Sequence, residues 1–591
     1  MNMTEIARKT IRWGRAIAVF GLAGLAHLAM AQTTLTPTET FSAAREAHRV
    51  ESGQKFFGDA KYAGSDSCKS CHEKQYGEWK NTWHSKMQRL ATPDVVVGDF
   101  NNRIVTYKDV AIKDKDGHPA KDKDGKEIKL TFQVRAHREG DKFFFTVLDQ
   151  DNPANNQTYE IYKALGGKWD QQYEIKVGDN LLPGILRWSV ANNGWIVNSY
   201  RPDEWVIADG TPDGRPRKPE ELPKNRFAEA KCSGCHTTGN DFYKDEAGVW
   251  KAKPNGTSEM AVACERCHGP ASKHVAEAEE AKAAGKKLAP EATTIVHPLK
   301  DLNSLQQLEM CAQCHGRHSN KEIPDINFQL GFRPGDVDMT TRARFWNYSS
   351  TPKHSENHYF WVNDWAARNR QQWQDFTKSK HFSKAGMSCL TCHTFHGEWE
   401  NAQLRMKPEQ LCVSCHASGG YAKRPNAEMF KDSPMEKAGV QCVDCHMPKI
   451  GYRSDKTATK PHPWDVTAHT FMVAKPELEL RQEIRSSCTS CHVEGNKLAS
   501  GAQAPAFDIN TLDVVLKQKQ SMTRAEIDAV EAVLTKAEQG KSAEAKKLMA
   551  DARGKLNFVL LDGSMGFHNQ EKAMNYIAEA RKLAEKAVKS K

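Results

Sequence analysis

Sixteen cysteines fall into eight copies of one five-residue pattern, and this constrains the chain more than any other feature. The copies are Cys68-Lys-Ser-Cys71-His72, Cys232-Ser-Gly-Cys235-His236, Cys264-Glu-Arg-Cys267-His268, Cys311-Ala-Gln-Cys314-His315, Cys389-Leu-Thr-Cys392-His393, Cys412-Val-Ser-Cys415-His416, Cys442-Val-Asp-Cys445-His446 and Cys488-Thr-Ser-Cys491-His492. No cysteine is left for a disulfide. A zinc ribbon uses cysteine pairs but does not demand histidine after every second one. A run of free dithiols would be oxidised outside the cytoplasm. C-x-x-C-H is instead the attachment signature of c-type haem, whose vinyl groups take both thiols while the adjacent histidine reaches the iron. The sequence therefore predicts eight covalently attached c-type haems, bound through all sixteen cysteines, with His72, His236, His268, His315, His393, His416, His446 and His492 as proximal ligands.

Arg8, Lys9, Arg12 and Arg15 precede an apolar run from Ala16 to Met30, which closes in Ala29-Met30-Ala31. That is a secretory signal with cleavage expected after Ala31. The run is short for a membrane anchor, and a mean hydropathy of −0.69 suggests no second one. The mature chain is expected to be periplasmic, or extracellular, with no integral membrane segment. Loss of residues 1–31 removes four basic residues and Glu5, lowering the formal charge from +10 to +7. Eight ferric haems with ionised propionates would add about −8. The basic sequence pI is thus no argument for a nucleic-acid partner.

The motifs are unevenly spaced: 164 residues separate Cys68 from Cys232, while Cys389, Cys412 and Cys442 crowd together. The long gap carries strand signals at 130–149 and 173–200, where β-branched and aromatic residues alternate between Gly, Asn and Asp turns. Residues 113–127 form a charged loop pair with two Asp-Gly turns. Residues 512–591 show helical periodicity, with a capping box beginning at Thr523 and an N-cap at Asn569. The expected organisation is a signal peptide (1–31), an N-terminal haem segment (32–94), a β-rich insertion (95–225), a seven-haem core (226–500) and a C-terminal helical domain (501–591). The fold class is a multihaem cytochrome c: short α-helices and loops around eight haems, a β-rich insertion and a C-terminal helical hairpin or bundle.

An electron-carrying haem iron usually takes a sixth ligand, commonly histidine or methionine. Fourteen histidines remain after the proximal eight and His27 are set aside. His396 lies three residues past His393 and is tethered to the proximal side, so it is expected to ligate a neighbouring haem; His318 and His274 invite the same argument. His84 is read on a helix leaving the first motif, and His381 lies eight residues before Cys389. His297, His358 and His469 lie in segments between motifs. These eight are the candidate distal ligands. His354, His462 and His568 are reserves, and His48, His118 and His137 are read as solvent-facing.

The stretch CKSCHEKQYGEWKNTWHSKMQRL (68–90) resembles the opening of the tetrahaem cytochrome that takes electrons from hydroxylamine oxidoreductase in nitrifying bacteria. ACERCHGPASKH (263–274) is similar to a broad group of exported multihaem cytochromes. HYFW (358–361), QQWQDFTKSKHFSKAGMSCLTCH (371–393), GVQCVDCHMPK (439–449) and LDGSMGFHNQEKA (561–573) resemble pentahaem nitrite reductases and their octahaem relatives. The nitrite reductases carry the reactive haem on C-x-x-C-K, whereas every motif here ends in histidine. Octahaem sulfite reductases stretch one attachment pair, and no spare cysteine permits that here. Hydroxylamine oxidoreductases combine eight C-x-x-C-H motifs with one open iron, a route this sequence leaves available.

The first functional expectation is electron transfer through closely packed bis-histidine haems, with other redox proteins as donor and acceptor. The alternative is an oxidoreductase acting on a small nitrogen or sulfur species at one open haem, with Arg317 and His318, or His354, His358 and Tyr359, lining the pocket. A third reading makes the chain a homo-oligomer or a subunit of a conducting filament.

Overall fold

The structure, a computed structural model, describes residues 49–590 except 113–118, 191, 198–203, 208–214, 223–227, 229–231, 249, 322, 324–325, 327, 338, 340–342, 348, 350–358, 397–401, 452–465, 483, 499 and 541. The expected signal peptide, His48, His118, His354, His358, His462 and the first Asp-Gly turn of the charged loop pair lie outside the described residues. Among the described residues no helix is long and apolar enough to cross a membrane.

Alternating apolar residues between the first and second motifs build a nine-stranded antiparallel sheet. Its strands are β1 (Gln88–Leu90), β2 (Arg103–Ala111), β3 (Lys129–Glu139), β4 (Lys142–Leu148), β5 (Gln157–Gly166), β6 (Asp170–Val177), β7 (Asn180–Pro183), β8 (Leu186–Ser189) and β9 (Gly194–Val197). The main path runs β2-β3-β4-β5-β6-β8-β9, with β1 added against β5 and β7 against β6. Strand β3 shows why the register holds: Leu130, Phe132, Val134 and Ala136 all point into the core, and a slip of one residue would turn them outward. They meet Phe143, Phe145 and Val147 of β4. The β3–β4 turn needs only Gly140 and Asp141, because Gly140 adopts φ +59 without a side-chain penalty. His137 is a correction to the sequence reading. It is buried, not solvent-facing, with Nε2 2.9 Å from the Thr146 hydroxyl and its ring stacked on Phe144.

Around the motifs the regular structure is short. Helix α1 (Glu73–Asn81) follows the first motif, α2 (Ser272–Ala283) the third, and α3 (Ser304–His315) carries the fourth on its last turn. An Asn303/Gln306 capping box starts α3: the Asn303 side chain accepts from Gln306 N, and Gln306 Oε1 accepts from Asn303 N. Helix α4 (Gln372–Lys378) precedes the fifth motif. A separate hairpin, Thr238–Lys244 against Trp250–Glu259, joins the second motif to the third.

Three long helices close the chain: α5 (Ile509–Ala537), α6 (Ala543–Asp562) and α7 (Gln570–Lys589). Buried Ala573, Ile577, Ala580, Ala584 and Ala587 make a four-three spaced seam on α7. It packs with Ala552, Leu556 and Val559 of α6 and Ile527, Val530 and Leu534 of α5, and Met429 from the motif region joins the same cluster. Asn569 caps α7 by accepting from Lys572 N. Thr523 departs from the sequence reading: it sits inside α5 and donates its hydroxyl back to Lys519 O, because the apolar seam carries the helix straight through the apparent start signal.

Candidate functional site

The five-residue motif folds as one helical turn, which places both thiols and the histidine on a common side. The amide of His72 donates to Cys68 O at 2.9 Å, His393 to Cys389 O at 3.0 Å, His416 to Cys412 O at 2.8 Å and His492 to Cys488 O at 2.9 Å. None of the sixteen cysteines is paired in a disulfide.

Six of the eight motif histidines face a second histidine ring. The centroid separations are 6.4 Å for His72 and His274, 6.3 Å for His315 and His84, and 5.9 Å for His268 and His396. They are 6.5 Å for His393 and His469, 5.9 Å for His416 and His381, and 6.0 Å for His446 and His568. Imidazole nitrogens bind first-row metals at about 2.0–2.1 Å and each ring centre lies roughly 1.1 Å behind its nitrogen, so a metal between two imidazoles sets centroids about 6.3 Å apart. The observed separations match that span. Among the described residues no three His, Cys, Asp or Glu side chains converge to hold a bare metal ion. Two thiols on one turn and two imidazoles in opposition suit a planar group that brings its own equatorial ligands.

The electrostatics agree. Burial, then His315 and His393, push the pKa of His84 down to about 3, and burial is the main cause that lowers His268, His381 and His469 to about 4. Neutral imidazole is the form that offers a metal a lone pair. The second nitrogen of most of these rings is anchored. Nδ1 lies 2.7 Å from Val296 O in His268, 2.8 Å from Ala402 O in His393 and 2.9 Å from Thr467 O in His469. In His274 it is 2.5 Å from Thr293 Oγ1, and in His568 it is 2.6 Å from Asp562 Oδ1. Donation from Nδ1 fixes the tautomer that leaves Nε2 free for iron.

The facing rings come from distant parts of the chain. His84 lies in a turn beyond α1, not on the helix as the sequence suggested, because the Thr82 amide closes on Trp79 O and ends it. That turn is tied on both sides: Val262 N donates to His84 O at 3.1 Å, and β1 then locks into the sheet through Gln88 opposite Leu165. His469 is set by buried Asp375 of α4, whose carboxylate accepts from the amides of His469 and Ala366. His568 arrives on the connection between α6 and α7.

Of the sequence candidates, His84, His274, His381, His396 and His469 are thus brought opposite motif histidines. His297 is the N-cap of a one-turn helix near His268 and His396, and no ring faces it among the described residues. His318 has Nδ1 2.8 Å from Gly316 O and a buried Nε2 without a partner, although no motif ring lies opposite it. His358 is outside the described residues. His568, held in reserve by the sequence reading, is the sixth facing ring; the adjoining N-cap Asn569 was the available signal, since it fixes where α7 begins. Among the described residues no second histidine ring faces His236 or His492. Arg317, a proposed pocket residue, stacks 4.1 Å from the Tyr359 ring centre and donates to Asn369.

Thiols of different motifs also meet. Cys68 lies beside Cys264, Cys235 beside Cys314, Cys311 beside Cys389, and Cys412 beside Cys442. Cys267 is also near Cys311, Cys392 near Cys412, and Cys445 near Cys488.

Models of three families match the chain: cytochrome c552 over residues 412–590, a doubled CXXCH motif over 381–420, and cytochrome c554 and c-prime over 67–100 and 214–269. The chain is a multihaem c-type cytochrome. This cytochrome is 27% identical over 175 residues to the cytochrome c nitrite reductase subunit NrfA of Nitratidesulfovibrio vulgaris, covering 28% of this chain and 30% of that protein. It is 21% identical over 426 residues to the dissimilatory sulfite reductase MccA of Wolinella succinogenes, covering 66% of this chain and 51% of that one. It thus spans about a third to a half of the length of these relatives. The solved structure of the outer cell wall cytochrome OcwA shares the fold, with a TM-score of 0.58 at 20% identity, covering 88% of this chain and 99% of that one.

Proposed function

We propose that the chain is an exported octahaem cytochrome that conducts single electrons through bis-histidine sites. The observation that carries this reading is the set of six histidine pairs whose spacing suits one iron each. When bound, the haems supply reversible one-electron exchange at iron. The residues do the rest. Sixteen thiols would fix the positions, and the paired imidazoles would hold the iron in both redox states. The thiol contacts support a line of attachment sites running from Cys68 through Cys264, Cys311, Cys389, Cys412 and Cys442 to Cys488, with the Cys232 site joined to the Cys311 site as a side branch. His274 would complete the site of the first motif, His396 the third, His84 the fourth, His469 the fifth, His381 the sixth and His568 the seventh. Soluble or cell-surface redox proteins would be donor and acceptor, in the periplasm or beyond it, where self-association into a filament would extend the line.

A second reading, catalysis on a small nitrogen or sulfur species, is favoured by the Arg317 guanidinium beside the fourth motif, which lies 4.1 Å from the Tyr359 ring centre. Low-temperature electron paramagnetic resonance of the oxidised protein separates the two. Electron transfer alone predicts low-spin ferric signals for at least the six paired sites and no change on adding nitrite, hydroxylamine or cyanide. A high-spin component that those ligands convert would establish the catalytic reading instead.

A further inference from the structure

Among the rings whose outer nitrogen has a described partner, the one facing the seventh motif stands apart. The nitrogens of His268, His393 and His469 that point away from the gap meet main-chain carbonyls, and that of His274 meets a hydroxyl. His568 instead meets a carboxylate: its Nδ1–H donates to Asp562 Oδ1 at 2.6 Å. The Asp562 side chain is fully buried, and its other oxygen accepts from the Ser564 amide and hydroxyl. The same carboxyl group reaches the neighbouring site. Asn426 Nδ2 donates to the Asp562 carbonyl at 2.6 Å and to Oδ1 at 3.2 Å, while Asn426 Oδ1 accepts from Nδ1 of His416 at 3.2 Å. One short network thus backs both His568 and His416, with a charged acceptor on the first and a neutral amide on the second.

We infer that Asp562 is a positioning residue that sets a step in reduction potential between two adjoining sites, making the Cys442/Cys445 site harder to reduce than the Cys412/Cys415 site. This deepens the electron-transfer reading and rests on it. A buried carboxylate accepting the Nδ1 proton increases the donor strength of Nε2. A stronger donor favours ferric over ferrous iron, and hydrogen bonding behind an axial ligand is one of the levers by which a protein tunes haem potential. Burial matters because the charge is then not screened by water. Asn426 presents no charge to His416, so the adjoining site lacks the effect. The α6–α7 connection therefore supplies a ligand together with its tuning group, and electrons arriving at this point of the line meet a rise.

The test is a spectroelectrochemical titration of the intact holoprotein against Asp562→Asn, with Asp562→Glu and His568→Ala as companions. Asparagine keeps an acceptor for Ser564 and removes the charge. The inference predicts that one reduction step alone moves to more positive potential in Asp562→Asn. The reduced-to-oxidised ratio of that site at fixed potential should rise roughly tenfold, about 59 mV for one electron. Its low-spin resonance should shift while the rest of the spectrum overlays wild type, and Asp562→Glu should fall nearer to wild type. Superimposable titrations of wild type and Asp562→Asn, together with a new high-spin signal in His568→Ala, would overturn the tuning role while leaving the electron-transfer reading intact. Absence of any new high-spin signal in His568→Ala would instead remove the ligand pair on which both rest.

Discussion

The sheet formed by β1–β9 and the motif region that follows it are stabilised by different materials. The sheet has one contiguous apolar core, in which Phe100, Phe143, Phe145, Tyr173 and Trp195 meet mainly edge to face at 5.0–5.8 Å. Among the described residues the motif region has small satellite clusters, such as Cys235, Ile326 and Phe328, or Leu308, Phe376 and Met387, with the motif cysteines Cys314 and Cys389 packed against them. A chain cannot offset its conformational entropy without burying apolar surface. The sheet does so with its own side chains. On the proposed reading, the motif region would do so by enclosing porphyrins, and its fold would depend on their attachment.

The largest expected effect breaks that comparison outright. Produced without haem attachment, the chain should lose the ordered structure of residues 226–500 and keep the sheet. Limited proteolysis should then leave a resistant fragment containing residues 88–197, and a haem-free chain that resists proteolysis throughout would show that the motif region has an adequate core after all. The next effect is spectroscopic. His84→Ala removes the ring opposite His315 and should convert about one eighth of the low-spin iron into a high-spin form that binds cyanide. Because the turn bearing His84 is held by main-chain bonds to Val262 and by β1, the sheet should melt at an unchanged temperature. Phe145→Ala reverses the pattern. It should cost the sheet about 3–5 kcal/mol in chemical denaturation, as large-to-small changes in packed aromatic cores do, while the Soret spectrum stays that of wild type.

The same contrast explains what was legible in the sequence. The motifs announce themselves because the chemistry needs both thiols and one histidine on a single helical turn, and the sheet announces itself through the alternation seen in β3 and β4. The second histidine of each pair obeys no local rule. His568 stands 122 residues from His446 and is delivered by the packing of α6 and α7, and His84 reaches His315 because a sheet and a main-chain bond hold its turn. His396 could be anticipated only because its short tether to His393 forbids the same haem. Periodicity failed at His137, whose hydroxyl partner Thr146 comes from the paired strand β4 and is itself held by Thr158 of β5. It failed at Thr523 because an apolar seam overrode a capping signature.

The smallest effect sharpens the comparison by asking which side the C-terminal helices belong to. They have a seam of their own, yet Met429 enters it, and Lys572 Nζ donates to Glu428 O at 2.9 Å. Asn569 stands at the junction: its Oδ1 caps α7 through Lys572 N, and its Nδ2 donates to Lys431 O at 3.3 Å. Asn569→Ala should cost about 1 kcal/mol, the usual loss for a helix N-cap. Thermal melts followed in parallel at the helical circular dichroism band and at the Soret band decide the question. If the helices form one cooperative unit with the motif region, both bands shift together, because loosening α7 also loosens His568 opposite His446. A shift confined to the helical band would place these helices with the sheet, as structure that stands on its own side chains.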